Sequence, residues 1–136
     1  MIIGTGVDIV KIKRFAEIAN RSVFMEKIFT AGEREYLKTR NPESTAGLFA
    51  AKEAVVKAMG TGFSGFFPRD IEVVHDERGK PGIVLHDAAR AVCAENVKIH
   101  VSISHSSEDA VAFAVAEECY VGKENRFGYL YGIRLD

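Results

Sequence analysis

The hydrophobic pattern of this chain changes period several times, and each change marks an element. Ile2 to Val7, apolar but broken by Gly4 and Gly6, predicts a buried strand. Ile9 to Ala19 then predicts a helix with Ile9, Ile12, Phe15 or Ala16, and Ala19 inward, so that Lys11, Lys13 and Arg14 face outward. Thr30 followed by Glu33 has capping-box spacing, and a helix is expected from about Ala31 to Lys38, closed by Asn41 and Pro42. The alanine-rich run from Glu43 to Met59 predicts a longer helix, ended by Gly60 as a left-handed residue. Thr61 to Phe67 reads as a loop before Pro68. Asp70 to Val74 and Gly82 to Leu85 predict a hairpin about the Asp76-to-Lys80 turn. Asp87 to Glu95 follows as a helix, then Lys98 to Ser104 and Ala110 to Ala116 as two strands joined by a polar turn. Near the C-terminus Tyr129, Tyr131, Ile133 and Leu135 alternate like one face of a strand. The fold class expected is α+β, a single domain whose strands pack on the Glu43-to-Met59 helix.

Composition narrows this picture. A chain of 136 residues, 47% hydrophobic, can bury a sizeable core and fits one domain. A net charge of -1 gives no overall attraction to nucleic acid or membrane, so a charged partner must be met by a local patch. No stretch approaches the eighteen or so apolar residues of a membrane span, and Asp8 interrupts the N-terminal apolar run. Cys93 and Cys119 lack metal-type spacing and read as reduced packing thiols, which suits a cytoplasmic protein.

Candidate chemistry concentrates on the long helix. Glu53 and Lys57, four residues apart, project together, and a metal-bound polyphosphate needs that combination of a hard oxygen ligand and a fixed positive charge. The same spacing also describes a solvated surface pair. Asp8, the lone acid of the first strand, reads equally as a ligand and as the N-cap of the helix after it. The glycines at 60 and 62 suit either close approach to a phosphate or a plain connection. His105, between Ser104 and Ser106, reads as a phosphate or base contact or as a turn histidine. His75, His86 and His100 have no carboxylate or cysteine at ligand spacing and read as structural or surface residues.

Taken together, Gly4-Thr5-Gly6-Val7-Asp8-Ile9-Val10 and Phe49-Ala50-Ala51-Lys52-Glu53-Ala54-Val55-Val56-Lys57-Ala58-Met59-Gly60-Thr61-Gly62 resemble the 4'-phosphopantetheinyl transferases, specifically the short holo-acyl-carrier-protein synthase type. Gly79-Lys80-Pro81 and Val101-Ser102-Ile103-Ser104-His105-Ser106 extend the resemblance across residues 1–117, leaving 118–136 as a C-terminal extension without a counterpart. The resemblance implies Mg²⁺ (or Mn²⁺) held by Asp8 and Glu53, and transfer of phosphopantetheine from coenzyme A to a serine of an apo acyl carrier protein in fatty acid biosynthesis. It implies catalysis by Glu53 and Lys57, with Lys57, Gly60, Gly62, Lys80 and His105 bordering the coenzyme. It further implies carrier docking on Lys11, Lys13, Arg14 and Arg21, and a homotrimer with active sites between subunits. Relatives serving polyketide or peptide synthases are about twice as long and tend to carry a second acid where Val10 stands here. Leu48 stands where many members carry arginine, which leaves a binding module without turnover as the alternative.

Overall fold

The computed structural model describes residues 1–18 and 20–119, together with short strands at 129–130 and 133–134. Strand β1 (Ile2–Lys11) leads into helices α1 (Ile12–Ile18), α2 (Ser22–Ile28) and α3 (Ala31–Leu37), and then into the 18-residue α4 (Pro42–Met59). A 3-10 turn, Pro68–Asp70, precedes the hairpin of β2 (Ile71–His75) and β3 (Pro81–Leu85). Helix α5 (Asp87–Val92) and strands β4 (Val97–His105) and β5 (Asp109–Glu118) follow. An antiparallel sheet in the order β1-β5-β4 lies against α4, as the α+β expectation requires.

Several elements differ from the sequence reading. β1 runs four residues past Val7, so Asp8 sits inside a strand and caps nothing, and Ile9, expected inward on a helix, is 65% exposed on the sheet. Pairing with β5 from Gly4↔Ala116 to Lys11↔Asp109 holds the chain extended where local periodicity allowed a helix. The expected inner residue Ala19 lies outside the described residues. α2 was not expected at all; no side chain caps its start, although Met25 and Phe29 four residues apart bury one face. α5 ends at Val92 rather than Glu95. In the C-terminal extension the backbone forms a small hairpin, β6 (Tyr129–Leu130) with β7 (Ile133–Arg134), instead of one alternating strand; Tyr131 and Leu135 lie outside the described residues.

The inner face of the sheet is built from the smallest side chains in the molecule. Gly4, Gly6, Asp8 and Val10 of β1 lie opposite Ala116, Ala114, Ala112 and Ala110 of β5, and those four alanines are buried. α4 answers with Gly47, Ala50, Ala51, Ala54 and Ala58. A Cβ at Gly6 would lie 2.0 Å from the carbonyl oxygen of Ala54, and one at Gly4 2.0 Å from that of Ala58. Strand and helix therefore touch backbone to backbone, which only glycine permits.

Candidate active site

That close contact places the candidate chemistry. β1 meets α4 at Ala58 through Gly4 and at Ala54 through Gly6, and the next residue on the same face of the strand is Asp8. Lys57 Nζ donates to Asp8 Oδ1 at 3.3 Å and to the Val7 carbonyl at 2.8 Å. The ammonium is half exposed and the carboxylate largely covered, at 53% and 17%. Asp8 Oδ2 is buried without a hydrogen-bond partner, a costly state for a carboxylate oxygen. Burial pushes the Glu53 carboxyl above its usual range, the Asp8 charge adds to the rise, and Lys57 pulls it down. Two carboxylates thus share one lysine, with one oxygen unclaimed: a donor set suited to a hard cation. Among the described residues no group of three or more metal-ligating side chains converges. Two protein oxygens at most would serve such an ion here, the other positions falling to substrate and water.

One residue away, the same helix carries a different arrangement. Lys52 Nζ donates to Glu33 Oε1 at 2.7 Å, to the Pro68 carbonyl at 3.1 Å and to the Ile71 carbonyl, while Glu33 Oε2 accepts from Val73 N at 2.9 Å. Glu33 also closes the capping box of α3 with Thr30. Both residues are 1% exposed. Burial pushes the Lys52 ammonium down, and Glu33 opposes it.

Gly60 ends α4 in the left-handed conformation at φ 75°. Gly60 and Gly62 (φ 60°) both face open space, so backbone shape rather than crowding accounts for glycine there. His105 lies elsewhere. It borders a 180 Å³ cavity with Glu43, Ser44, Gly47, Leu48, Ile103, Gly79 and Pro81, against the N-terminal half of α4. Ser44 and Glu53 are about 13 Å apart along the helix axis. Lys80 lines an adjoining 450 Å³ groove between the hairpin and β4, with His75, His100 and Lys98. The residues expected to border the coenzyme therefore spread along α4 within one chain: Lys57 against Asp8, Gly60 and Gly62 at and beyond the C-terminal end of the helix, and His105, with Lys80 in the adjoining groove, toward its N-terminal end.

The sequence profile of the 4'-phosphopantetheinyl transferase superfamily matches residues 4–116. The chain belongs to this superfamily. A holo-[acyl-carrier-protein] synthase of Clostridium kluyveri is 49% identical over 122 residues, covering 86% of this chain and 91% of the relative. One from Clostridium perfringens is 46% identical over 131 residues, covering 90% and 98%. Among solved structures, the Bacillus anthracis holo-(acyl-carrier-protein) synthase in complex with CoA (3',5'-ADP) superimposes with a TM-score of 0.74 at 41% identity, covering 87% of this chain and 98% of that one. The Helicobacter pylori synthase in complex with coenzyme A gives 0.74 at 30%, covering 83% and 99%.

In this phosphopantetheinyl transferase the expected docking residues separate. Lys13 and Arg14 are exposed on α1, and Arg21 is exposed immediately before α2. Lys11 is not on a helix; it ends β1 and pairs with Asp109 at 3.2 Å, because the strand outlasts its expected end. His86 and His100 do have carboxylate neighbours, Glu72 at 3.0 Å and Glu117 at 2.7 Å, brought in by the fold from outside ligand spacing. Sequence reasoning passed over Glu43, whose Oε2 is buried and unpartnered, and Tyr36, which stacks on His75 at 4.2 Å. Nothing local distinguishes Glu43 from the other acids of helix first turns.

Proposed function

We propose that the protein transfers 4'-phosphopantetheine from coenzyme A to a serine hydroxyl of an apo acyl carrier protein, releasing adenosine 3',5'-bisphosphate, in the cytoplasm and in the service of fatty acid biosynthesis. The observation that carries this reading is the unclaimed Asp8 oxygen beside a desolvated Glu53 with Lys57 one turn away. Mg²⁺, or Mn²⁺, bound by Asp8 and Glu53 would polarise the pyrophosphate and neutralise charge developing on the leaving oxygen. Lys57, on a flexible stem, supplies a movable positive charge to a phosphate oxygen. Glu53, with its raised carboxyl, accepts the serine proton directly or through a water. The serine oxygen forms the new P–O bond in line with the one that breaks, and adenosine 3',5'-bisphosphate leaves with the bonding electrons.

The separation of His105 and Lys80 from Asp8 along α4 supports an active site shared between copies, with the coenzyme's nucleotide contributed to by a neighbour. The outer sheet face supports the same reading: Ile3, Val7, Ile9 and Phe113 are exposed together, with Val7 opposite Phe113. An apolar patch of this kind calls for a partner, and a homotrimer would cover it. Lys13, Arg14 and Arg21 offer the acidic carrier protein a positive rim, while Lys11, held by Asp109, contributes less.

The test is the intact mass of an apo carrier protein incubated with coenzyme A, Mg²⁺ and the enzyme. A phosphopantetheine-sized gain, abolished by chelator and by Glu53→Gln, is the expected result. No gain despite tight coenzyme A binding would make the protein a binding module, the reading that the buried Leu48 favours.

A further inference from the structure

Two successive phenylalanines after α4 have opposite surroundings. Phe66 is 4% exposed and meets Phe63 edge to face at 5.7 Å, whereas Phe67 is 65% exposed. The 3-10 turn that Phe67 opens is fastened at Phe67, Pro68 and Asp70. Phe67 N donates to Asp70 Oδ2 and Asp70 N to the Phe67 carbonyl, each at 2.9 Å. The Pro68 carbonyl accepts from Lys52 Nζ at 3.1 Å, and the Asp70 carbonyl from His86 N at 2.8 Å. Beside the ring stands exposed Arg69, its guanidinium 5.8 Å from the ring centre. An aromatic side chain held out by a fixed backbone loses little further freedom on contact, so it suits recognition. The turn also stands on the side where the first helices lie. Lys52, which holds it, precedes Glu53 on α4; α2 packs against the turn, and α1 packs on α4. Arg21 comes immediately before α2, and Val23 and Lys27, one helical turn apart, are exposed on the side away from buried Met25. The turn and α2 thus present Phe67 and Val23 with Arg21, Lys27 and Arg69, which fits a partner whose apolar residues are set among carboxylates.

We propose that Phe67 and Arg69 form a second contact for the acyl carrier protein, Phe67 against an apolar side chain and Arg69 against a carboxylate, beside the rim of Lys13, Arg14 and Arg21. The inference rests on the carrier-protein reading of the function and adds residues beyond the first helices that select this partner. Phe67 supplies affinity by burying apolar area, and Arg69 supplies orientation through its charge.

The experiment is steady-state transfer to apo carrier protein by the wild type, Phe67→Ala, Phe67→Leu and Arg69→Ala at low salt and at about 0.5 M salt, with melting temperature and light-scattering mass of each variant. Phe67→Ala should raise the KM for carrier protein at least about five-fold at both salts, leaving kcat and the KM for coenzyme A within about two-fold. Phe67→Leu keeps most of the apolar area and should recover most of the loss. Arg69→Ala should raise the same KM at low salt only, because screening removes a charge contact and spares an apolar one. Melting temperatures should match the wild type, since both side chains are exposed. A carrier KM unchanged in Phe67→Ala overturns the proposal. So does a parallel rise in the KM for coenzyme A, which would mean a disturbed site, and so does a fall in mass, which would assign Phe67 to a contact between copies of the chain. If the wild type neither modifies nor binds the carrier, the functional reading itself falls and this contact with it.

Discussion

Lys52 and Glu53 are neighbours on α4, yet they belong to charge clusters built on opposite principles. Around Lys52 every acceptor is matched: one ammonium, one carboxylate and two carbonyls close on each other in the core. Around Glu53 the account stays open, with two carboxylates to one lysine and an orphaned Asp8 oxygen. The first cluster ties α3, α4 and β2 together; the second is held ready by the backbone contact of β1 with α4. Saturation marks the structural cluster, and unsatisfied charge marks the one proposed as the active site.

The sharpest way to break the comparison is Lys52→Met. It strands Glu33 in the core and should cost about 3–5 kcal/mol of unfolding free energy, read by urea denaturation. A loss below about 1 kcal/mol would show the pair to be dispensable. Glu53→Gln should do the reverse, lowering the transfer rate about 10²–10³-fold, some 2.7–4 kcal/mol of barrier, without loss of stability. Its sign with pH follows from the raised Glu53 carboxyl. Between the ordinary value near 4.5 and the higher folded one, the native state holds the proton better than the unfolded chain. Wild-type stability contributed by this group is therefore present at lower pH and lost as pH rises through that window, whereas the glutamine variant escapes the loss. Thermal melts of both proteins across acidic pH should converge at the acid end and separate, variant above wild type, as pH rises.

Gly6→Ala tests the contact that joins the regions. The added methyl must move β1 off Ala54, at about 1–3 kcal/mol, and should reduce transfer beyond the stability loss because Asp8 moves with its strand. The smallest effect is expected at the rim. Arg14→Ala should raise the KM for carrier protein several-fold at low salt, and the difference should fade by about 0.5 M salt, where screening is nearly complete. A KM unchanged at low salt would remove Arg14 from the docking surface.

Much of the fold was legible locally. The Thr30–Glu33 capping box, the Gly60 stop and the hairpin about Asp76–Lys80 form as their spacing dictates, because each is closed by hydrogen bonds within a few residues. In the turn, Asp76 accepts from the backbone of Arg78 and Lys80, which holds its carboxyl below the usual range. The end of β1 was not legible, because residues 8–11 are extended by β5, a strand one hundred residues away. The role of Lys52 was hidden for a related reason. A lysine in a helix reads as exposed until tertiary contacts supply three acceptors.

The sequence by itself determined the residue types of the chemistry and their local spacing: Glu53 and Lys57 one turn apart, Asp8 behind two glycines, and small residues on α4, since side-chain identity and helical period need no partner. Only the tertiary structure decided which charges meet. It set Asp8 against Lys57, left the Asp8 and Glu43 oxygens unclaimed, sealed Lys52 in the core and carried His105 to the far end of α4. Electrostatic interaction and desolvation depend on distance and burial, and the fold sets both between residues far apart in the chain.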